Sequence, residues 1–348
     1  MKKLFNHRIS KFSTAICLVV IFSCSKDDGC GYTAADDIIP VGCTQQTSID
    51  MSTGVDADGN RIEPALDVVD LQWRVLNNPP LLFCDNNPFA GSINGNAYLI
   101  NFSNLLQYEW VNQPGTTTLA PMNLGTNAGF GCNNASNDDG EIVPYVFERS
   151  FCVLKNTAVD FDFTFKGDDQ LKLELINNIT NQVIQQSSLY IYPQNAMSFT
   201  ATNLSLSAGS YSIRAYLANT SSVVLGFSVK GNIHTTAGDE AISNNNLGCC
   251  ENNTISILNL IDVNCNQKFD TGDHLAKNWT VRIKNSSNQV IRTATTDANG
   301  NIFFSGLSNG TYTVELVPQT GFTSSTTTAN VTLTANAVRI VEFYNCPQ

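Results

Sequence analysis

Apolar and polar residues alternate along most of this chain with a period of two. The clearest stretch is Val159-Asp160-Phe161-Asp162-Phe163-Thr164-Phe165, then a polar break at Lys166-Gly167-Asp168-Asp169-Gln170, then Leu171-Lys172-Leu173-Glu174-Leu175. Strict alternation predicts two strands that each bury one face, joined as a hairpin. Further strands are expected at 66–75, 145–154, 211–217 and 223–229, with Asn77-Asn78-Pro79-Pro80 ending the first. A second series follows at 255–260, 279–283, 290–294, 301–304, 310–316 and 338–343. Outside the amino-terminal segment, no stretch sustains an apolar period of 3.6. Short strands at this spacing predict an all-β chain with two β-sandwich domains, at 63–236 and 253–348. Residues 237–252, rich in Asn and Gly, read as a linker.

The amino-terminal segment breaks the pattern. Ile16-Cys17-Leu18-Val19-Val20-Ile21-Phe22-Ser23 is a short apolar run, preceded by Lys2, Lys3, Arg8 and Lys11 and by no acidic residue. It is far shorter than the roughly 20 residues of a membrane span and has the form of a secretory signal peptide. With Cys24 directly after Ser23, it resembles a bacterial lipoprotein signal. That resemblance implies cleavage after residue 23 and lipidation of Cys24. Ser25-Lys26-Asp27-Asp28 resembles the acidic tag of Bacteroidetes surface lipoproteins, which implies the outer face of the outer membrane. Residues 24–62, polar and Gly-containing, then read as a lipidated tether.

Loss of 23 residues from 348 leaves 325, enough for two cores. Losing the four basic residues also moves the formal charge from −11 to −15. So acidic a chain repels phosphate backbones, which argues against nucleic acid, and attachment to a membrane would rest on the lipid. Eleven cysteines are present, nine of them beyond Cys24: Cys30, Cys43, Cys84, Cys132, Cys152, Cys249, Cys250, Cys265 and Cys346. Outside the cytosol these point to disulfides. Cys30 with Cys43 is the most local pairing, and one bridge is expected among Cys84, Cys132 and Cys152. With no Cys-x-x-Cys, and only His234 and His274 beyond the signal, a zinc site is not expected.

The first sandwich resembles galactose-binding-like jelly rolls, through Asp70-Leu71-Gln72-Trp73, Trp110, Gly167-Asp168-Asp169-Gln170, Ala208-Gly209-Ser210-Tyr211 before Arg214, and Gly226-Phe227-Ser228-Val229. The second resembles the SdrD B-like repeat of Gram-positive surface adhesins, a prealbumin-like seven-strand sandwich. Asp262-x-Asn264-x-Asn266 through Asp270-x-Gly272-Asp273, Thr295-Thr296-Asp297-Ala298-Asn299-Gly300 and Phe304-x-x-Leu307-x-x-Gly310-x-Tyr312-x-Val314 carry that resemblance, with Pro318-x-x-Gly321-Phe322.

The loop from Asp262 to Asp273 has defined chemistry. Ca²⁺ takes 6–8 oxygens, and an EF-hand-like loop offers them at positions 1, 3, 5, 7, 9 and 12. Here those are Asp262, Asn264, Asn266, the Lys268 carbonyl, Asp270 and Asp273. The family resemblance implies the same ion, in a structural role. Position 6 is Gln267 where glycine is usual, and position 12 is the shorter Asp. An Asx-rich turn without metal is the alternative. Cys265 points away from the ion by parity, free to form half a disulfide.

Sugar binding by the first sandwich would need an aromatic platform and polar groups on loops. The candidates are Tyr108, Trp110, Asp168, Asp169 and Arg214, whereas Trp73 lies in a strand and is expected in the core. No Gly-x-Ser-x-Gly, His-Glu-x-x-His, Ser-x-x-Lys or phosphate-loop motif occurs. The expectation is a non-enzymatic, lipid-anchored surface protein for adhesion or for binding a glycan or protein. The alternatives are an accessory subunit of an outer-membrane secretion or gliding machine, and a surface glycosidase.

Overall fold

The computed structural model describes residues 43–65, 67–82, 95–100, 113–122, 133–220, 225–244, 250–334 and 336–348. All regular structure among them is β, as the period-two pattern predicts. Cys24, Tyr108 and Trp110 lie outside the described residues.

One long curved sheet builds the first sandwich. In hydrogen-bonded order, one part runs Val69–Val75, Tyr145–Val153, Gly209–Ala218, Gln170–Asn177 and Gln182–Gln186. Another runs Ser48–Asp50, Asn232–Thr235, Thr157–Asp168, Gly226–Lys230, Leu119–Ala120 and Asn96–Leu99. Their inward side chains share one core, in which Phe161, Phe163 and Phe165 of one part meet Leu171, Leu173 and Leu175 of the other. Trp73 is fully buried there, edge-on to Phe227 at 5.6 Å.

The expected hairpin at 159–175 is two strands, but they do not pair with each other. Thr157–Asp168 bonds to Met197–Leu206 and Gly226–Lys230, whereas Gln170–Asn177 bonds to Gly209–Ala218. The chain therefore crosses between the two parts of the sheet at Asp168 and Asp169. Alternation reveals that a strand has one buried face; it does not reveal its hydrogen-bonding neighbour.

Two stretches expected to be irregular join this sandwich. Within 24–62, Ser48–Asp50 pairs with Asn232–Thr235 and buries Ile49 and Met51. Within 237–252, Ile242–Asn244 pairs with Tyr145–Val153, and Cys250 is disulfide-bonded to Cys152 of that same strand. Cys152 thus bridges to the connecting segment, and Cys84 and Cys132 lie outside the described residues. Apolar Ile49, Met51, Ala241 and Ile242 were too few per segment to register as strands against their polar surroundings.

The second sandwich packs a five-stranded sheet on a four-stranded one. Seven strands carry it: Asn253–Ile261, Thr280–Lys284, Val290–Thr295, Asn301–Leu307, Gly310–Leu316, Thr328–Leu333 and Val338–Pro347. Two short strands, His274–Leu275 and Phe322–Ser324, extend the larger sheet. Asn253–Ile261 lies parallel to the last strand and antiparallel to Asn301–Leu307. Gly300 ends the Asp297 turn at φ 68°, where an added Cβ would sit 2.5 Å from the Asn259 carbonyl oxygen. Glycine alone tolerates both constraints.

Three strands are buried along both faces: Tyr145–Val153, Asn253–Ile261 (to its penultimate residue) and Asn301–Leu307. One face of each lies on its own core. The other faces meet, so the two sandwiches share a buried interface.

Candidate functional site: an acidic loop and a buried ion-pair interface

A row of alternating charge crosses the first sandwich on its interface face. Glu148 stands directly opposite Arg74 on one neighbouring strand and Arg214 on the other, and Arg214 stands opposite Glu174. Arg74 Nη2 donates to Glu148 Oε1 at 2.8 Å, and Arg214 Nε donates to Oε2 at 3.0 Å. The second sandwich completes the shell. Ser305 Oγ donates to Glu148 Oε2 at 3.0 Å, and Thr254 Oγ1 donates to Ser305 Oγ at 3.0 Å. Arg214 also donates to Ser305 Oγ and Asn181 Oδ1, and its guanidinium lies 5.2 Å from the centre of the Phe303 ring. Arg74 reaches the Asn336 carbonyl.

The Glu148 side chain is fully buried. Burial pushes its carboxyl up, but Arg214 and then Arg74 outweigh that and hold it below the ordinary value. Two cationic partners and hydroxyl donors are what a buried carboxylate needs to remain ionised. Apolar contacts flank the charge row: Leu76, Val146, Phe303 and Val338 on one side; Val143, Leu258, Leu260 and Leu275 on another. At the exposed margin, His274 pairs with Asp138 at 2.9 Å and Lys277 with Asp139 at 2.9 Å.

Sequence patterning points to none of this interface, and it makes Arg214 a ligand candidate. That assignment is corrected: its side chain is 2% exposed and is held by Glu148. The available signal was the charged pair Glu148-Arg149 inside an otherwise apolar strand. Arg149 faces the other way, into the first sandwich, and donates to the Ser52 and Asp50 carbonyls and to Gln72 Oε1.

The two other described ligand candidates stay together at the layer crossing. Asp169 Oδ2 accepts from Thr220 N and Oγ1 at 2.6 and 2.8 Å. Asp168 is buried, its Oδ1 has no hydrogen-bond partner among the described residues, and burial with the neighbouring Asp169 pushes its carboxyl up to about 9. Tyr190–Ile191 pairs with Leu171 and Gln170 just after this crossing, and Tyr192 N donates to the Asp169 carbonyl. Leu189, Ile191 and Tyr192 are all exposed there, at 47%, 45% and 38%.

The loop from Asp262 to Asp273 sits at the end of the Asn253–Ile261 strand. Asp262 is buried at its base; its Oδ1 accepts Asn266 N at 3.1 Å and its Oδ2 accepts Gln267 N at 2.6 Å. Asn264 and Asn266 donate their amide groups to Asp270 at 2.9 and 2.7 Å. Asp273 accepts from Val263 N and Asp270 N at 2.8 and 2.9 Å. Gln267 has φ 59°, so it adopts the left-handed conformation that glycine usually supplies at position 6.

Among the described residues, no three carboxylate, imidazole or thiol groups converge closely enough to hold a metal as they stand. Nor does any of the three loop carboxylates have an ion-pair partner among those residues. The donor chemistry nevertheless fits a hard cation: three carboxylates, two amide side chains and the Lys268 carbonyl in one loop. The amide NH₂ groups now supply the positive ends that a cation would supply. Asn264 and Asn266 would have to turn their oxygens inward to join such an ion.

This fold and loop define a two-sandwich β protein with an Asx-rich loop on its second unit. Residues 258–340 match the SdrD B-like domain. Serine-aspartate repeat-containing protein C of Staphylococcus aureus strain Newman is 43% identical over 70 residues, 20% of this chain and 7% of that protein. The strain N315 protein of the same name is 40% identical over 68 residues. The chain thus spans about 7% of the length of these relatives.

Among solved structures, the shaft pilin SpaA from Lactobacillus rhamnosus GG is 14% identical, with 28% of this chain and 52% of that one covered and a TM-score of 0.23. The minor pilin GBS52 from Streptococcus agalactiae is 11% identical, with 53% and 84% covered and a TM-score of 0.24. A family 29 carbohydrate binding module is 10% identical, with 47% and 88% covered and a TM-score of 0.21. Scores this low assign nothing beyond the domain match.

Proposed function

We propose that this chain is a non-enzymatic cell-surface protein for adhesion or ligand binding, held on the outer face of the outer membrane by lipid on Cys24. The SdrD B-like match and the lipoprotein-like signal support the surface location. In this reading the second sandwich is a structural unit that takes calcium through Asp262, Asn264, Asn266, the Lys268 carbonyl, Asp270 and Asp273. Millimolar external calcium would fill even a site with a Kd of roughly 10⁻⁴ to 10⁻³ M. The first sandwich carries recognition of a glycan or a protein.

The observation that carries the recognition reading is the exposed strip Leu189, Ile191 and Tyr192 beside the acidic turn at Asp168 and Asp169. An aromatic ring beside the Asp169 carboxylate is a fitting surface for a sugar or a peptide. The test is a glycan array, with a panel of extracellular proteins, probed with the purified chain and its Tyr192→Ala and Asp169→Asn variants. Binding without turnover, lost in both variants while they stay folded, is expected. Hydrolysis of an arrayed glycan, or binding unchanged in both variants, would overturn the reading.

A further inference from the structure

The acidic loop is fastened to the last strand at two successive residues. At its base, Asp262 N donates to the Asn345 carbonyl at 2.9 Å. Asn345 in turn donates its side-chain amide to Asn259 Oδ1 and to the Leu260 carbonyl, both at 2.8 Å, and accepts from Ser324 Oγ. One residue on, Cys346 is disulfide-bonded to Cys265, which lies between Asn264 and Asn266 inside the loop. Cys265 itself is left-handed, at φ 59°, and its Cα is held 5.4 Å from that of Cys346. Residues 263 to 268 are otherwise exposed, so little apolar packing holds the loop's crown.

A disulfide at this position acts on ion binding through order. Four of the six oxygen-bearing positions, Asp262, Asn264, Asn266 and Lys268, lie within three residues of Cys265. Fixing Cys265 fixes the backbone that aims them, so less conformational entropy remains to be lost when an ion binds. The bond closes a chain segment with a sequence separation of 81, which gives it a substantial hold on the disordered alternatives. Its exposure leaves it open to a reductant.

We propose that the Cys265–Cys346 disulfide is a redox control on the cation affinity of the Asp262–Asp273 loop. This rests on the reading of that loop as a calcium site. The oxidised loop binds the ion tightly and the reduced loop binds it weakly. The chemistry is thiol–disulfide exchange with a dithiol reductant. A thiolate attacks one sulfur and forms a mixed disulfide; the second thiol of the reductant then closes a cyclic disulfide. Two electrons and two protons pass to Cys265 and Cys346, which leave as thiols. By linkage, the bound ion must protect the disulfide by the same factor by which the disulfide tightens the ion.

The test is calorimetric titration of the full chain with calcium chloride, for the oxidised protein, the Cys265→Ser/Cys346→Ser variant and the Cys152→Ser/Cys250→Ser variant. The expected result is about tenfold weaker calcium binding in the first variant and unchanged binding in the second. A parallel measurement on the unaltered chain covers misfolding of the variants. Its Cys265–Cys346 bond is equilibrated with a dithiol buffer, with and without calcium, and quantified by mass spectrometry. Tenfold coupling shifts that equilibrium by about 30 mV toward the disulfide when calcium is present. Calcium binding of equal strength with and without the disulfide, and no shift, would overturn the proposal alone. No calcium binding by the oxidised chain would overturn the calcium reading and the proposal together.

Discussion

The buried Glu148 carboxylate and the carboxylates of the Asp262–Asp273 loop have their charge neutralised in opposite ways. Glu148 has two guanidinium partners from adjacent strands and the Ser305 hydroxyl as a donor from the other sandwich. The loop carboxylates have backbone N–H groups and amides, and no cationic side chain among the described residues. A carboxylate neutralised from within the chain becomes a fixed joint. One left with neutral donors is stabilised further by a cation from solution. The first arrangement joins the two sandwiches; in the calcium reading, the second makes one end of the pair responsive to its surroundings.

The largest expected effect breaks the first region. Glu148→Ala leaves two guanidinium groups buried without their counter-charge and should cost about 3–5 kcal/mol, read by denaturant unfolding. Its pH dependence has a definite sign. Because the folded pKa of Glu148 is depressed, its contribution is present above the unfolded value near 4.5 and is lost as pH falls through the folded value. The gap between the unaltered chain and the variant should therefore narrow in acid.

Chelation probes the second region. If the loop binds calcium with a Kd of roughly 10⁻⁴ M, removing about 2 mM calcium should cost about 2 kcal/mol, restored by adding the ion back. Glu148→Ala should leave that calcium response in place.

Asp168 tests the same rule at a carboxyl group with no cation beside it among the described residues. Its folded pKa is raised to about 9, so its stabilising contribution is full below the ordinary value of 3.8 and is lost as pH rises toward 9. Asp168→Asn should raise the melting midpoint by roughly 2–4 °C at pH 8 and leave it unchanged near pH 3.5. The smallest effect belongs to the exposed margin: Lys277→Ala removes the pair with Asp139 and should change stability by less than about 1 kcal/mol.

The same contrast explains what was legible in the sequence. The loop's candidate donors all lie within twelve consecutive residues, so spacing alone displayed them, although spacing could not display the hydrogen bonds that now join Asn264 and Asn266 to Asp270. The Glu148 cluster gathers Arg74, Glu148, Arg214, Thr254 and Ser305 from five strands. Nothing local marks those residues as neighbours, because strand pairing sets their meeting and alternation is silent on pairing. That silence also turned the 159–175 stretch into an apparent hairpin. The buried face of each strand was readable, as Phe161, Phe163 and Leu173 show.

Scanning calorimetry of the full chain and of Glu148→Ala tests the coupling of the two sandwiches most directly. One cooperative transition in the unaltered chain, split into two by Glu148→Ala, is the predicted result. Two separate transitions in the unaltered chain, neither moved by the substitution, would contradict it.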